Sequence, residues 1–190
     1  RALRVARDHG IPVTVRGGGH NVAGLSVQDG ALLLDLAGMR AVIVDEQRQL
    51  AIVEGGACWS DVDSATAAVG LATTGGLIST TGVGGFTLGG GAGWLMRRYG
   101  LACDNLLGAN VELADGSSVR VDAGEHADLF WGLRGGAGGL GVVTHFEFRL
   151  YPMQQVLAGL VVFPGDEVAA VLKGFRGLVR NVPDEFCGMA

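Results

Sequence analysis

Lysine is almost missing: Lys173 is the only one in 190 residues, beside four prolines, three cysteines and two tyrosines. Fourteen Lys and Arg face nineteen Asp and Glu, a formal net charge of −5. That balance leaves no electrostatic footprint for a nucleic-acid backbone. Cys58, Cys103 and Cys187 are odd in number and widely spaced, with no CxxC pair. This excludes a disulfide framework and a thiol-based zinc site, and reduced thiols are expected. Apolar runs such as Ala31–Leu34 are strand-sized, so no membrane span is expected. No Gly-Lys-Ser/Thr sequence exists, which excludes a Walker phosphate loop. Charged residues make up only 17% and mean hydropathy is +0.36, which excludes a disordered tail.

What the chain has in excess is glycine, 34 of 190 residues, against a usual share of about 7%. There is no Gly-X-Y period, so collagen is excluded. Glycine at this density in a hydrophobic chain means tight turns or backbone held close to something large. The chain begins at Arg1, inside a helical pattern, and is expected to be a piece of a longer protein. Any targeting signal would then lie upstream. The thiols lean toward a cytoplasmic location.

Residues 1–9 read as the end of an amphipathic helix closed by Gly10. Strands are expected over 11–15 and 31–35, and a hairpin over 42–44 and 49–54. A helix should run from Trp59 or Ser60 to Ala68, with Gly70 closing it. Residues 73–81 form a polar loop and 82–93 the densest glycine run. A short helix is expected over 94–99. Strands over 106–113 and 118–121 flank an Asp115-Gly116 turn. A short helix over 128–133 leads into a third glycine loop, 134–141, and a strand over 142–150. After Pro152 a new strand over 156–163 and a helix over 165–179 are expected. Strands occur both in hairpins and around helices, which gives an α+β class. Residues 1–150 make one domain and 151–190 the beginning of a second.

The first loop, Arg16-Gly-Gly-Gly-His-Asn21, follows a strand directly. Successive bare amides of this kind make an anion-binding concavity. One such loop is weak evidence, since a plain turn explains it equally well. Three suggest a long ligand with a diphosphate and flat rings laid along the backbone. Gly17-Gly18-Gly19 is not the dinucleotide fingerprint. Gly82-x-Gly84-Gly85 follows a polar loop, and no acid stands on a suitable strand about twenty residues on. His9, His126 and His145 are isolated, without a ligand partner at metal spacing, and no metal site is expected. Asp61 and Asp63 suit a helix start rather than a catalytic pair. Trp59, Trp94 and Trp131 read as packing anchors. Arg97 and Arg98 could reach phosphate, but at least one reads as a solvated helix residue.

The string Val15-Arg-Gly-Gly-Gly-His-Asn21 resembles the diphosphate loop of FAD-linked oxidases of the vanillyl-alcohol oxidase and p-cresol methylhydroxylase type. Gly82-Val-Gly-Gly85, Gly89-Gly-Gly-Ala-Gly93, Arg98-Tyr-Gly-Leu-Ala-Cys-Asp-Asn105, Asp128-Leu-Phe-Trp-Gly-Leu-Arg-Gly-Gly136 and Gly141-Val-Val-Thr144 follow in the same order. Together they resemble the berberine-bridge-enzyme-like and 6-hydroxynicotine-oxidase-like group over residues 1–152. The resemblance implies an FAD-binding domain of two α+β subdomains, followed by the start of a substrate domain. It implies that His20 is bonded to the flavin 8α-methyl. Arg16, Gly17, Gly18, Gly19, His20 and Asn21 would wrap the diphosphate, and Gly24 would let the loop turn. Thr81, Gly82, Gly84 and Gly85 would line the isoalloxazine and diphosphate. Asp104 and Asn105 would brace the second loop, and Gly141 and Val142 would meet the adenosine half.

Departures from the family pattern carry their own implications. Ile78 stands where many members carry a second flavin-linking cysteine, so a single link through His20 is implied. Phe86 stands where a histidine often faces the flavin, and Gly138-Gly-Leu-Gly141 replaces Gly-Asn-Phe-Gly. Thr81, close to valine in size, occupies the position that gates oxygen. The implied activity is oxidation of a small organic substrate at a C–O or C–N bond with dioxygen as acceptor. The catalytic base is unassigned, because the family takes it from later parts of the chain. The alternatives are a dehydrogenase with another acceptor, a non-covalent FAD reductase of the same fold, and a non-catalytic glycine-rich binding domain.

Overall fold

A computed structural model describes residues 1–136, 138–153 and 155–190. The first unit is a small parallel layer. Helix α1 (Ala2–Asp8) ends where Gly10 takes a φ of +64°, and the Ile11 N–H donates back to the Ala6 carbonyl. The chain then enters β1 (Val13–Arg16), which pairs in parallel with β2 (Leu32–Asp35). The second unit is a five-stranded antiparallel sheet. Its strands are β3 (Val42–Asp45), β4 (Leu50–Glu54), β6 (Leu106–Glu112), β7 (Ser118–Asp122) and β8 (Val142–Arg149), in the order β3-β4-β8-β6-β7. A two-residue strand, β5 (Leu71–Ala72), pairs with β9 (Tyr151–Pro152).

The sheet is sided because side chains alternate along each strand. Ala51 pairs with Phe148, and Phe146 lies between Val53 and Ala109 on neighbouring strands. All five are buried in one core. Helix α2 (Trp59–Ala67) and helix α3 (Val83–Leu88) dock on this face. The Trp59 ring meets Phe86 edge-on at 5.3 Å and Phe148 at 5.9 Å. Asp61 starts α2 by accepting from the Cys58 N–H at 2.8 Å, and it also pairs with Arg40. Helix α4 (Met96–Tyr99) leads into a 3-10 turn, Ala102–Asn105, and α5 (Ala127–Leu133) precedes the third glycine loop. A short 3-10 turn and α6 (Val168–Leu178) follow the sheet.

Three sequence expectations need correction. The glycine run 82–93 is not all loop, since Val83–Leu88 is helical. Glycine costs a helix about 1 kcal/mol each, but Val83, Gly84 and Thr87 are buried against the sheet, and that packing decides. Among the described residues of 155–163 no strand forms. A strand needs a ladder partner for its N–H and C=O groups, and Leu157 and Val162 are exposed. Trp94 and Trp131 are 52% and 79% exposed, so only Trp59 anchors packing. Of the two helix arginines, Arg98 is the more solvated, with a side chain 46% exposed, whereas Arg97 is engaged. It donates to the carbonyls of Phe186 (3.0 Å) and Val182 (3.2 Å) and pairs with Asp184.

Candidate cofactor site

The site grows from the C-terminal end of β1. Arg16 ends the strand and its guanidinium pairs with Asp35 at the end of β2. That donor, with the Ala37 N–H, holds the Asp35 carboxyl below the usual carboxylate range. The Arg16 carbonyl meanwhile accepts from the Leu36 N–H. The next three residues have no side chains, and the structure shows why. A Cβ on Gly18 would lie 2.2 Å from the Gly82 nitrogen and 2.9 Å from the Thr80 carbonyl oxygen. A Cβ on Gly82 would strike the Gly18 nitrogen at 2.2 Å. Two backbones therefore touch with nothing between them. Gly19 turns with a φ of +71°, which L side chains rarely adopt.

This contact delivers His20 onto the 80–82 loop. The His20 ring is exposed, its Nε2 lies 2.9 Å from Thr80 Oγ1, and its Nδ1 lies 3.4 Å from Thr81 Oγ1. The loop is itself fixed, because the Thr81 carbonyl accepts from the Trp59 N–H and the Ser79 carbonyl from the Ser60 N–H. Beyond His20, the Asn21 side chain accepts from the Leu25 N–H and its carbonyl from Gly24, which turns at φ +69°. Gly84 packs inward, its Cβ position 3.3 Å from the Gly55 oxygen and 3.5 Å from the Phe146 ring, whereas Gly85 faces open space.

The remaining expected residues fall in two other places. Gly141, at φ +147°, leads into β8, whose first residue, Val142, pairs with Glu112. Val142 lines a cavity of about 280 Å³ together with Leu33, Leu34, Asp35, Leu36 and Thr144. The cavity thus connects the ends of β2 and β8. Asp104 and Asn105 end the 3-10 turn whose Ala102 and Cys103 N–H groups donate to the Gly91 and Gly90 carbonyls of the second glycine run. Asp104 accepts from the Leu101 N–H and from Arg134. Buried Asn105 donates to the carbonyls of Tyr99 (3.0 Å) and Leu101 (2.8 Å). These two residues hold loop segments together and make no contact with the His20 loop through those bonds.

Sequence reasoning passed over Thr80, Asp35 and the Gly55-Gly56 pair. A Cβ on Gly56 would lie 1.7 Å from the Leu36 oxygen, and one on Gly55 would lie 2.3 Å from the Val143 oxygen. The signal was present as paired glycines at the end of β4, where the parallel layer meets the sheet. Among the described residues no cluster of three His, Cys, Asp or Glu could hold a metal ion. No described helix is long and apolar enough to cross a membrane.

The sequence pattern of the FAD binding domain family matches residues 1–122. (R)-6-hydroxynicotine oxidase of Paenarthrobacter nicotinovorans is 35% identical over the whole of this chain, which covers 41% of that protein. Glucooligosaccharide oxidase of Sarocladium strictum is 39% identical over 82% of this chain and 32% of its own length. The chain therefore spans about 40% or less of these curated relatives. The solved 6-hydroxy-D-nicotine oxidase of Arthrobacter nicotinovorans superposes with a TM-score of 0.91 at 35% identity, over 96% of this chain and 41% of that one. A berberine bridge enzyme variant gives 0.74 at 34% identity, over 79% and 31%. The residues present fit an FAD. The touching backbones at Gly18 and Gly82 present the exposed His20 imidazole at the surface, and a separate cavity lies at Val142.

Proposed function

The chain belongs to the FAD binding domain family, and from that premise we propose that it forms the cofactor-holding part of an FAD-dependent oxidase. The substrate is a small organic molecule oxidised at a C–O or C–N bond, and dioxygen takes the electrons. The observation that carries this reading is His20, exposed, held at Nε2 by Thr80 and facing Thr81, where two side-chain-free backbones meet. When bound, FAD supplies a hydride acceptor, and the protein's contribution is to hold and orient it.

Residues 1–150 act as the cofactor domain and 151–190 as the start of a substrate domain. Arg16 to Asn21 offer backbone amides to the diphosphate, with the Arg16 guanidinium already engaged by Asp35. Gly24 turns the chain away, and Thr81, Gly82, Gly84 and Gly85 form the flavin side. Gly141 and Val142 border the adenosine half. Asp104 and Asn105 stay behind, bracing the second glycine run through Leu101, Tyr99 and Arg134. His20 forms a single covalent link, since Ile78 offers no thiol for a second. The relatives' names include a nicotine-type amine and an oligosaccharide as substrates, which supports a small-molecule substrate and leaves both bond types within the proposal. With no disulfide among the described cysteines, a cytoplasmic location is part of it.

The test is to reduce the full-length protein anaerobically and mix it with oxygenated buffer. The oxidase reading expects the yellow band to return rapidly with one hydrogen peroxide per flavin. A reduced flavin that survives oxygen but passes electrons to an artificial acceptor overturns the choice of acceptor. A colourless protein overturns the whole reading.

A further inference from the structure

We propose that Thr80 is a positioning residue for attachment of the flavin: its hydroxyl holds Nε2 of His20 so that Nδ1 is the nitrogen that bonds to carbon. The inference rests on the His20 linkage proposed above. The two ring nitrogens are not held alike. Nε2 makes a 2.9 Å bond to Thr80 Oγ1, whereas Nδ1 has only a 3.4 Å contact with Thr81 Oγ1. The first is ordinary hydrogen-bond length and the second is beyond it. The lone pair of Nδ1 is therefore the one that can be given up to a new bond at little cost.

In the attachment step His20 Nδ1 forms a bond to the 8α-methyl carbon. One C–H bond and the ring N–H are broken, and the two hydrogens with two electrons pass into the flavin. Dioxygen then removes both hydrogens and both electrons as hydrogen peroxide, so the product is protein plus FAD less two hydrogens. As Nδ1 bonds to carbon the ring is first cationic with its proton still on Nε2, and this Nε2–H is the ring N–H that breaks when the ring returns to neutral. Thr80 Oγ1 is already at 2.9 Å to accept from it. A hydrogen bond to a charged donor is stronger than one to a neutral donor, so the contact favours the developing state over the starting one. Thr80 lies in the backbone segment whose carbonyl faces Gly18. The same close approach that excludes a Cβ at Gly18 therefore also sets the distance from His20 to Thr80. Thr80 is exposed, so removing its hydroxyl perturbs this contact more than the packing.

The experiment loads flavin-free full-length protein with FAD and follows covalent incorporation by intact mass after denaturation. It compares the wild type with Thr80→Val, Thr80→Ser and His20→Ala, with melting temperature as the folding check. The expected result is incorporation about tenfold slower in Thr80→Val, the loss of roughly one hydrogen bond to the developing charge. Non-covalent FAD binding should stay within about twofold in that variant, and Thr80→Ser should restore the rate. NMR of the flavin peptide from digested wild type should show attachment at Nδ1 alone, with a mixture of nitrogens in Thr80→Val. Unchanged incorporation in Thr80→Val overturns the role of Thr80 while leaving the His20 linkage standing. Attachment at Nε2 in the wild type overturns it as well, and needs no variant to fold. No mass gain in the wild type removes the His20 reading and this inference together.

Discussion

Replacing Gly18 by alanine tests whether the contact of two bare backbones builds the site. The new Cβ would stand 2.2 Å from the Gly82 nitrogen, 2.6 Å from its Cα and 2.9 Å from the Thr80 oxygen. Ordinary contact begins near 3.4 Å, so the loops must part by about 1 Å, and every opposing atom is backbone that cannot rotate away. Overpacking of this kind costs about 1–3 kcal/mol, and the rigid neighbours place Gly18→Ala in the upper half of that range. The same displacement carries His20 from Thr80, whose 2.9 Å bond would stretch past hydrogen-bond length. The assay is urea unfolding of the full-length protein together with its covalent flavin content. Gly38→Ala is the control, because Gly38 has no heavy atom within 4 Å of its Cβ position. Gly18→Ala should lose about 2–3 kcal/mol and most of its flavin, with Gly38→Ala near wild type. Equal stability and equal flavin in the two variants would refute the argument.

Two further perturbations probe the frame behind the site. Asn105→Ala strips the Tyr99 and Leu101 carbonyls of their buried donor and should cost about 2–3 kcal/mol in urea unfolding; a loss below about 0.5 kcal/mol would show that those bonds do not hold the second glycine run. The Arg40 guanidinium, with the Cys58 N–H, holds the Asp61 carboxyl below its ordinary value. Its contribution to stability is therefore complete above about pH 4 and is lost as pH falls through the lowered value. Asp61→Asn should lower neutral-pH stability by about 1 kcal/mol and flatten the acid side of the stability curve, and an unchanged acid slope would contradict this.

Much of the fold was legible because its local rules agree. Gly10 and Gly70 mark helix ends with positive φ, and the polar stretch before Leu50 marks the hairpin between β3 and β4. The first loop was legible because a strand runs straight into three glycines and a histidine. The helix at Val83–Leu88 was not, because glycine's poor helix propensity there is outweighed by burial against Phe146 and Gly55, contacts 29 to 62 residues away in sequence. Thr80 was passed over for a similar reason. Its importance lies in a distance to His20 across 60 residues, and nothing in its own neighbourhood announces that. The expected strand over 156–163 has the right residue types, but a strand is a property of a pair, and no described segment pairs with it.

Whether His20 tethers an FAD is read most directly from the intact mass of the denatured full-length protein beside His20→Ala. The wild type should gain one FAD less two hydrogens and the variant nothing. An unchanged wild-type mass, or a gain that survives His20→Ala, would contradict the tether.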